Sequence, residues 1–155
     1  MPPAFNLSQD QTRNSSSIKD LHPSVAAKAV AFIASCKSVG IDVLITSTFR
    51  DFESQNALYA QGRTAPGKIV TNAKGGQSFR NYRLAFDFVP LVNGKAQWSD
   101  EALFARCGKI AESVGLEWAG RWKSFKELAH CQDTGGLTLA ELQAGKTAPL
   151  EVSNG

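Results

Sequence analysis

The chain has 155 residues, of which 43% are apolar and 20% are charged, and its formal net charge is +3. These values are typical of one folded globular domain. The positive excess is small and no basic run with interleaved aromatic residues occurs, so we expect no nucleic-acid partner. No apolar run approaches the roughly 20 residues of a membrane-spanning helix, so we expect no membrane span.

The cysteines and the first residues exclude further classes of protein. Cys36, Cys107 and Cys131 are widely spaced and form no CxxC pair, which indicates neither a disulfide framework nor a zinc ribbon. Cys36 and Cys107 fall on apolar helix faces, where we expect buried reduced thiols. The opening MPPAFNLSQDQ lacks a basic region followed by an apolar one, so no signal peptide is predicted and synthesis in the cytoplasm is expected.

The first part of the chain predicts an arm, a helix and a strand. Residues 1–20 are polar and rich in Ser and Asn, and we expect an N-terminal arm there. Pro23 suits the first position of a helix, and apolar residues at spacings of three and four extend its buried face to Cys36. Gly40 ends this helix, and the β-branched stretch DVLITS at 42–47 predicts a strand.

A second helix, the longest loop and a second strand follow. Asp51 is the expected N-cap of a helix that runs to about residue 61. Residues 62–82 contain four glycines and one proline without a periodic apolar pattern, and a loop of this length is usually functional or disordered. Residues 84–92 predict a strand, and the Asn-Gly pair at 93–94 predicts a hairpin turn.

The last third predicts a helix, a short strand and a terminal helix. Ser99 is the expected N-cap of an amphipathic helix that ends at Gly115. Residues 128–132 predict the last strand, and Thr138 forms a capping box with the glutamate three residues later. The order of elements predicts a single-domain α+β fold, with helices packed on a small antiparallel sheet. The expected organisation is an arm at 1–20, a domain at 21–148 and a flexible tail at 149–155.

One stretch, QSFRNYRLAFDFVP at residues 77–90, contains a carboxylate that needs a partner. Asp87 is framed by Phe86 and Phe88, and an unpaired carboxylate is costly to bury among apolar groups. The partner could be a metal ion or an arginine from the preceding loop, such as Arg80. Both interpretations stay open on this stretch alone.

A second candidate feature lies in WKSFKELAHCQ, where His130 follows Glu127 by three residues. Side chains at this spacing can reach one point from a turn and from the strand that follows it, although the pair alone is a weak signal. The other histidine, His22, precedes Pro23 at a helix start, where a capping or packing role is expected. His130 is therefore the histidine with a candidate chemical role.

Together the two stretches resemble the D-Ala-D-Ala carboxypeptidase/L-alanyl-D-glutamate endopeptidase family of zinc peptidases, in particular its short phage endolysin branch. That family carries a motif SxHxxGxAxD, which Ser78, Ala85 and Asp87 match, and a later ExxH element, which Glu127 and His130 match. The resemblance implies that Asp87 and His130 are zinc ligands. It also implies that Glu127 is the general base that takes a proton from the metal-bound water.

An upstream segment, STFRDFESQNALYAQGRT, resembles the part of the family that contains an arginine and a glutamine. This similarity places Arg50 and Gln55 at those positions. The resemblance implies that Arg50 stabilises the substrate carbonyl or the oxyanion. It also implies that Gln55 contacts the substrate and that Ser78 braces the loop or contacts the substrate. The implied reaction is zinc-dependent hydrolysis of the L-Ala–D-Glu bond in the stem peptide of peptidoglycan.

The chain departs from the family motif at two positions. Arg80 stands where the family has its first ligand histidine, and Arg83 replaces the glycine. An arginine stays protonated and has no lone pair for a metal, so we expect an impaired metal site and a charge-assisted pair between Arg80 and Asp87. His22 is not expected to supply the missing ligand, because it belongs to a helix start. Cys131 is not expected to do so either, because it adjoins His130 and neighbouring side chains of a strand face opposite sides. Arg83 would be strained if the family glycine has a positive φ.

Three functions follow from these observations. The first is a peptidoglycan-degrading, endolysin-type zinc endopeptidase with an impaired metal site. The second is a catalytically inactive family member that binds cell-wall peptides without turnover. The third sets the resemblance aside and leaves a small interaction domain. For the first two we expect a monomer, made in the cytoplasm of a host bacterium and acting on its periplasmic cell wall after release, with peptidoglycan as partner.

Overall fold

The structure is a computed structural model, and it describes residues 14–147. Within this range four α-helices pack on a mostly antiparallel sheet, which confirms the predicted α+β fold. The helices are α1 (Pro23–Ser38), α2 (Phe52–Ala60), α3 (Glu101–Ser113) and α4 (Leu139–Gln143). The strands are β1 (Asn14–Ser15), β2 (Asp42–Ser47), β3 (Phe49–Arg50), β4 (Ala85–Val92), β5 (Lys95–Ala96), β6 (Glu117–Trp118) and β7 (His130–Gln132).

The main sheet has the strand order β2-β4-β7-β6, and β5 pairs with the far end of β4. All of these pairings are antiparallel, and β4 lies in the centre. The register sets Asp87 of β4 opposite His130 of β7 on one side and next to Ser47 of β2 on the other. The sheet thereby brings together two residues that are 43 positions apart in the sequence, since 130 − 87 = 43.

The ends of the helices show how closely the local signals predict structure. His22 caps α1, accepting a hydrogen bond at Nδ1 from the backbone of Ser24, and Asp51 caps α2 as predicted. The prediction of Ser99 as the cap of α3 is wrong, because Asp100 accepts the hydrogen bond from the backbone N–H of Leu103 at 3.0 Å. An aspartate one residue later offers the same capping chemistry with a negative charge at the positive end of the helix.

The core lies between the sheet and helices α1 and α3. Phe32, Phe86, Phe88 and Phe104 are fully buried and contact one another in tilted and edge-to-face pairs. Cys36, Cys107 and Cys131 are also buried, as free thiols, which agrees with the predicted reduced state of the first two. The sulfur-bearing side chain of Cys131 belongs to this core, so it faces away from its neighbour His130.

The beginning of the described chain is tied to the domain. Strand β1 pairs antiparallel with β3, and Ser15 accepts hydrogen bonds at its carbonyl oxygen from Thr48. The rest of the predicted arm and the predicted tail at 149–155 lie outside the described residues. No helix within residues 14–147 is long and apolar enough to cross a bilayer.

Candidate active site

Asp87 and His130 meet at the end of the central strand pair. His130 is buried, with 5% of its surface exposed, and the side chain of Asp87 is 19% exposed. Glu127 lies in the turn before β7, and about half of its side chain is exposed. The ligand-capable atoms of these three residues all lie within 4.8 Å of one another. The structure therefore brings together the three residues assigned to the ligands and the general base.

Arg80 lies against the same cluster. It belongs to a short 3-10 helix at Phe79–Tyr82, whose N-cap Ser78 accepts a hydrogen bond from the backbone N–H of Arg80. The guanidinium donates through Nη2 to Oδ1 of Asp87 at 2.5 Å and through Nε to Oδ2 at 3.1 Å. Nη2 also approaches Oε1 of Glu127 at 3.5 Å. The pair predicted between Arg80 and Asp87 is present, and it occupies both carboxylate oxygens.

The charges of this pair stabilise each other. Burial alone would raise the pKa of Asp87, but the charge of the Arg80 guanidinium and its two hydrogen bonds to the carboxylate hold that pKa below its ordinary value. Burial likewise would lower the pKa of Arg80, and the Asp87 carboxylate outweighs it and raises the pKa. Both side chains are therefore ionised at neutral pH, and the site contains a fixed positive charge where the family motif has an imidazole.

Arg50 contributes a second cation at the wall of the cleft. Its Nη1 donates to Oε1 of Gln55 at 3.1 Å, whereas its Nε is buried without a hydrogen-bond partner among residues 14–147. Burial, and then the positive charge of Arg80, lower the pKa of this guanidinium. The cleft has a volume of about 380 Å³ and is lined by Arg50, Leu58, Val70, Thr71, Arg80, Asp87 and Glu127.

Gln55 and Ser78, the two residues assigned to substrate contact, lie behind this wall. Gln55 is 1% exposed, and its amide donates to the carbonyl oxygen of Ala73 at 2.8 Å while its own oxygen holds Arg50. Ser78 is buried and caps the turn that carries Arg80. In the structure both side chains brace the cleft, since their polar atoms are engaged with the protein.

Arg83 occupies the backbone conformation that glycine favours. Its φ is 67° and its ψ is 23°, which lies in the left-handed region. The guanidinium stacks on the ring of Phe49, 3.9 Å from the ring centroid, and donates to the carbonyl oxygen of Asp20 at 2.8 Å. The guanidinium of Arg83 therefore points away from the cluster. Of the two arginines that depart from the family motif, only Arg80 places its charge at the site.

Comparisons with known proteins identify the chains that this one resembles. A family model described as D-alanyl-D-alanine carboxypeptidase matches residues 71–133, which contain Arg80, Asp87, Glu127 and His130. The peptidoglycan L-alanyl-D-glutamate endopeptidase CwlK of Bacillus subtilis strain 168 is 44% identical over 122 residues, which cover 73% of this chain and 73% of that protein.

This chain belongs to the D-Ala-D-Ala carboxypeptidase/L-alanyl-D-glutamate endopeptidase family. An L-alanyl-D-glutamate peptidase of Listeria phage A118 is 30% identical over 128 residues, which cover 78% of this chain and 41% of the phage protein. Members of the family are peptidases; both relatives are named for the L-alanyl-D-glutamate bond, and the Bacillus protein is also named for peptidoglycan.

Two solved structures share the fold. The L-Ala D-Glu endopeptidase ChiX of Serratia marcescens superposes with a TM-score of 0.56 at 17% identity, covering 81% of this chain and 86% of that one. The LD-carboxypeptidase LdcB superposes with a TM-score of 0.57 at 19% identity, covering 85% of this chain and 77% of that one. At these identities the likeness establishes the fold and nothing finer.

The residues present do not fit the family's zinc site as they are arranged. A catalytic zinc takes three protein ligands and leaves one position for water. Asp87 and His130 supply two donors, and Glu127 could supply a third only by giving up the role of general base. Arg80 has no lone pair and already binds both oxygens of Asp87. The imidazole of His22 is engaged at the start of α1, and the thiol of Cys131 lies in the core, so neither completes the set.

Sequence reasoning missed Gln132, which contacts the buried ring of His130. The amide oxygen of Gln132 lies 2.7 Å from Nε2 of His130, and both side chains are buried. The signal was available, because residues two apart on a strand share a face, so a polar residue two positions after a strand histidine is a candidate neighbour. The contact of the Gln132 amide with Glu117 on β6, however, depends on the pairing of β6 with β7 and cannot be read from the sequence.

Proposed function

We propose that this protein binds the stem peptide of bacterial peptidoglycan in the cleft at Arg50 and Arg80. We further propose that Arg80 takes the place of the metal, so that hydrolysis of the L-Ala–D-Glu bond is lost or greatly reduced. The observation that carries the proposal is the double contact from Arg80 to both oxygens of Asp87. Family membership supports the choice of peptidoglycan, since the relatives are named for this substrate or for its L-Ala–D-Glu bond.

The charges of the cleft favour an anionic peptide. Arg80 is matched by Asp87, whereas Arg50 has a neutral amide as its hydrogen-bond partner and keeps a buried donor at Nε. A carboxylate of the stem peptide offers acceptors that suit such a guanidinium. We therefore assign to Arg50 the contact with the peptide's carboxylate or carbonyl oxygen.

Binding to purified sacculi tests this function. The unmodified chain should be retained by sacculi, and Arg50→Ala should abolish retention while Arg106→Ala, a change of an exposed arginine on α3, should not. Mass spectrometry of the supernatant should show little or no release of cleaved stem peptides. Absence of retention by the unmodified chain would contradict the proposed binding, and rapid release of peptides would contradict the proposed loss of turnover.

A second candidate function is zinc-dependent hydrolysis with Glu127 as the third ligand. The observation in its favour is that donor atoms of Asp87, Glu127 and His130 lie within 4.8 Å of one another. It requires Arg80 to leave the carboxylate, and it removes Glu127 from the role of general base. One equivalent of tightly held zinc in the unmodified chain, lost on Glu127→Gln, would favour this candidate.

The setting of this activity is proposed from the relatives. The Listeria phage peptidase supports a place in the phage endolysin branch. We propose that the protein is made in the host cytoplasm and meets the cell wall after release, as a monomer. Size-exclusion chromatography coupled to light scattering would check the monomer, and a stable dimer would contradict it.

A further inference from the structure

A line of hydrogen bonds extends from His130 away from the cleft. Nε2 of His130 lies 2.7 Å from Oε1 of Gln132, whose amide nitrogen donates to Oε1 of Glu117 at 3.3 Å. The other oxygen of Glu117 accepts from the indole N–H of Trp122 at 2.7 Å. The ring of Trp122 also packs against the imidazole, with the ring centroids 5.6 Å apart. Groups from β6, β7 and the segment between them therefore surround the ring of His130.

These hydrogen bonds have one consistent direction. The carboxylate of Glu117 only accepts hydrogen bonds, so the amide of Gln132 must turn its NH₂ group toward it. The amide oxygen of Gln132 then faces His130 and also only accepts, so Nε2 of the imidazole must carry a proton. In a neutral imidazole a proton on one nitrogen leaves the electron pair on the other. When the ring is neutral, the electron pair of His130 is therefore on Nδ1.

Nδ1 of His130 faces the cluster at the cleft. It is buried and has no hydrogen-bond partner within residues 14–147. Oδ1 of Asp87 lies 3.7 Å away and Oε1 of Glu127 lies 3.8 Å away. A buried acceptor without a partner is costly, so this arrangement is suited to a ligand that brings an acidic proton or a positive charge to Nδ1.

We infer that Gln132 is a positioning residue, which fixes His130 in the tautomer that presents an electron pair to Asp87 and Glu127. Glu117 sets the direction of the Gln132 amide. In this chain the group that Nδ1 meets is an N–H or O–H donor of the bound peptide; with a histidine at position 80 it would be a divalent cation. The inference rests on the proposed function only for the identity of that group, because the tautomer is a property of the free protein.

Nitrogen-15 NMR of the free protein tests the tautomer directly. The chain has only two histidines, and Nδ1 of the other, His22, accepts a hydrogen bond from Ser24. Spectra of a His22→Gln background, recorded at about pH 9 where free imidazole is neutral, therefore report on His130 alone. They should show a protonated Nε2 and an unprotonated Nδ1. Protonation at Nδ1 would overturn the inference.

Two substitutions test the roles of the neighbours. Gln132→Leu should give a mixture of both tautomers, since no acceptor then holds the proton on Nε2. Glu117→Lys should reverse the amide of Gln132 and move the proton of His130 to Nδ1. Its matched control is Glu101→Lys, which makes the same change of charge at an exposed position of α3 and should leave the tautomer unchanged. If Gln132→Leu fails to fold, the spectra of Glu117→Lys, a change at an exposed position, are the test. An unchanged tautomer of His130 in Glu117→Lys overturns the inference.

Zinc binding in an Arg80→His background gives a second measurement that does not depend on peptidoglycan. Loss of the partner that orients a ligating histidine typically weakens metal affinity by about 10–100-fold. Gln132→Leu should therefore weaken zinc binding by that factor in calorimetric titration, and Glu101→Lys should not. Unchanged affinity in Gln132→Leu would contradict a positioning role. Failure of the unmodified chain to bind sacculi would contradict the proposed function and leave both of these measurements unaffected.

Discussion

Replacing Arg80 with histidine should give this protein a zinc site. Nη2 of Arg80 lies 2.5 Å from Oδ1 of Asp87, and a carboxylate-bound zinc lies about 2.0–2.2 Å from its ligand oxygen. The guanidinium and a metal on the same oxygen would therefore be separated by no more than about 4–5 Å. At about 4 Å and an effective dielectric constant near 20, each unit of metal charge is repelled by about 4 kcal/mol.

That repulsion sets the minimum gain in zinc affinity expected for Arg80→His. A free energy of about 4 kcal/mol corresponds to about three decades in affinity, and the substitution also supplies a ligand that arginine cannot provide. Arg80→His should therefore bind zinc at least about a thousandfold more tightly than the unmodified chain. The double variant Arg80→His/Arg83→Gly should bind at least as well, because glycine relieves the left-handed backbone next to the site.

Isothermal titration with zinc, combined with the metal content of the purified protein, measures this effect. The control is Arg106→His, which adds a histidine to an exposed position of α3 far along the chain from the cluster. We expect one zinc per chain in Arg80→His and in the double variant, and none tightly held in the control. Tightly held zinc in the unmodified chain, with an affinity that Arg80→His leaves unchanged, would refute the reasoning.

Four further predictions concern the stability of the fold and are measured by urea unfolding. The pKa of Asp87 is lower in the folded than in the unfolded protein, so its ionised carboxylate adds to the free energy of unfolding. This stabilisation is present above the ordinary carboxyl pKa of about 4 and is lost as the pH falls below that value. Arg80→Met should cost about 3–5 kcal/mol at pH 7 by leaving Asp87 unpaired, and a cost near zero would show that the pair is not buried in solution. Arg83→Gly should be about 1 kcal/mol more stable than Arg83→Ala, since both lose the side-chain contacts and only glycine relieves a φ of 67°; equal stabilities would contradict this. Gly108→Ala should cost about 1–3 kcal/mol, because an added Cβ would overlap the indole of Trp118, and an unchanged stability would show that the indole can move.

The sequence could predict which residues form the cluster but not how they are arranged. Asp87, Glu127 and His130 were found through their resemblance to the family's two motifs, and the structure brings them together. Their arrangement depends on the antiparallel register of β4 and β7, which no local pattern specifies. The ion pair of Arg80 with Asp87 was predicted because Arg80 stands at the family's ligand position and a protonated guanidinium has no lone pair for a metal.

The roles of the bracing residues were harder to predict. Contact of Gln55 with the substrate stays a prediction; what the sequence did not indicate is that its amide is engaged with Arg50 and with the loop at Ala73, which is 18 residues away. Gln132 received no role, because its contact with Glu117 joins two strands that are adjacent only after folding. Polar residues that orient others are determined by tertiary pairing, so single-sequence patterns give little information on them.

The guanidinium at Asp87 differs from a metal ion in being covalently attached to the chain. A bound ion stabilises the folded state by an amount that grows with its free concentration and vanishes when the ion is withheld. The guanidinium of Arg80 cannot dissociate from the chain, so its charge stays beside Asp87 whatever the concentration of free zinc. Chelators, which strip a metalloenzyme, should therefore leave the folding of this protein unchanged in any growth medium or compartment.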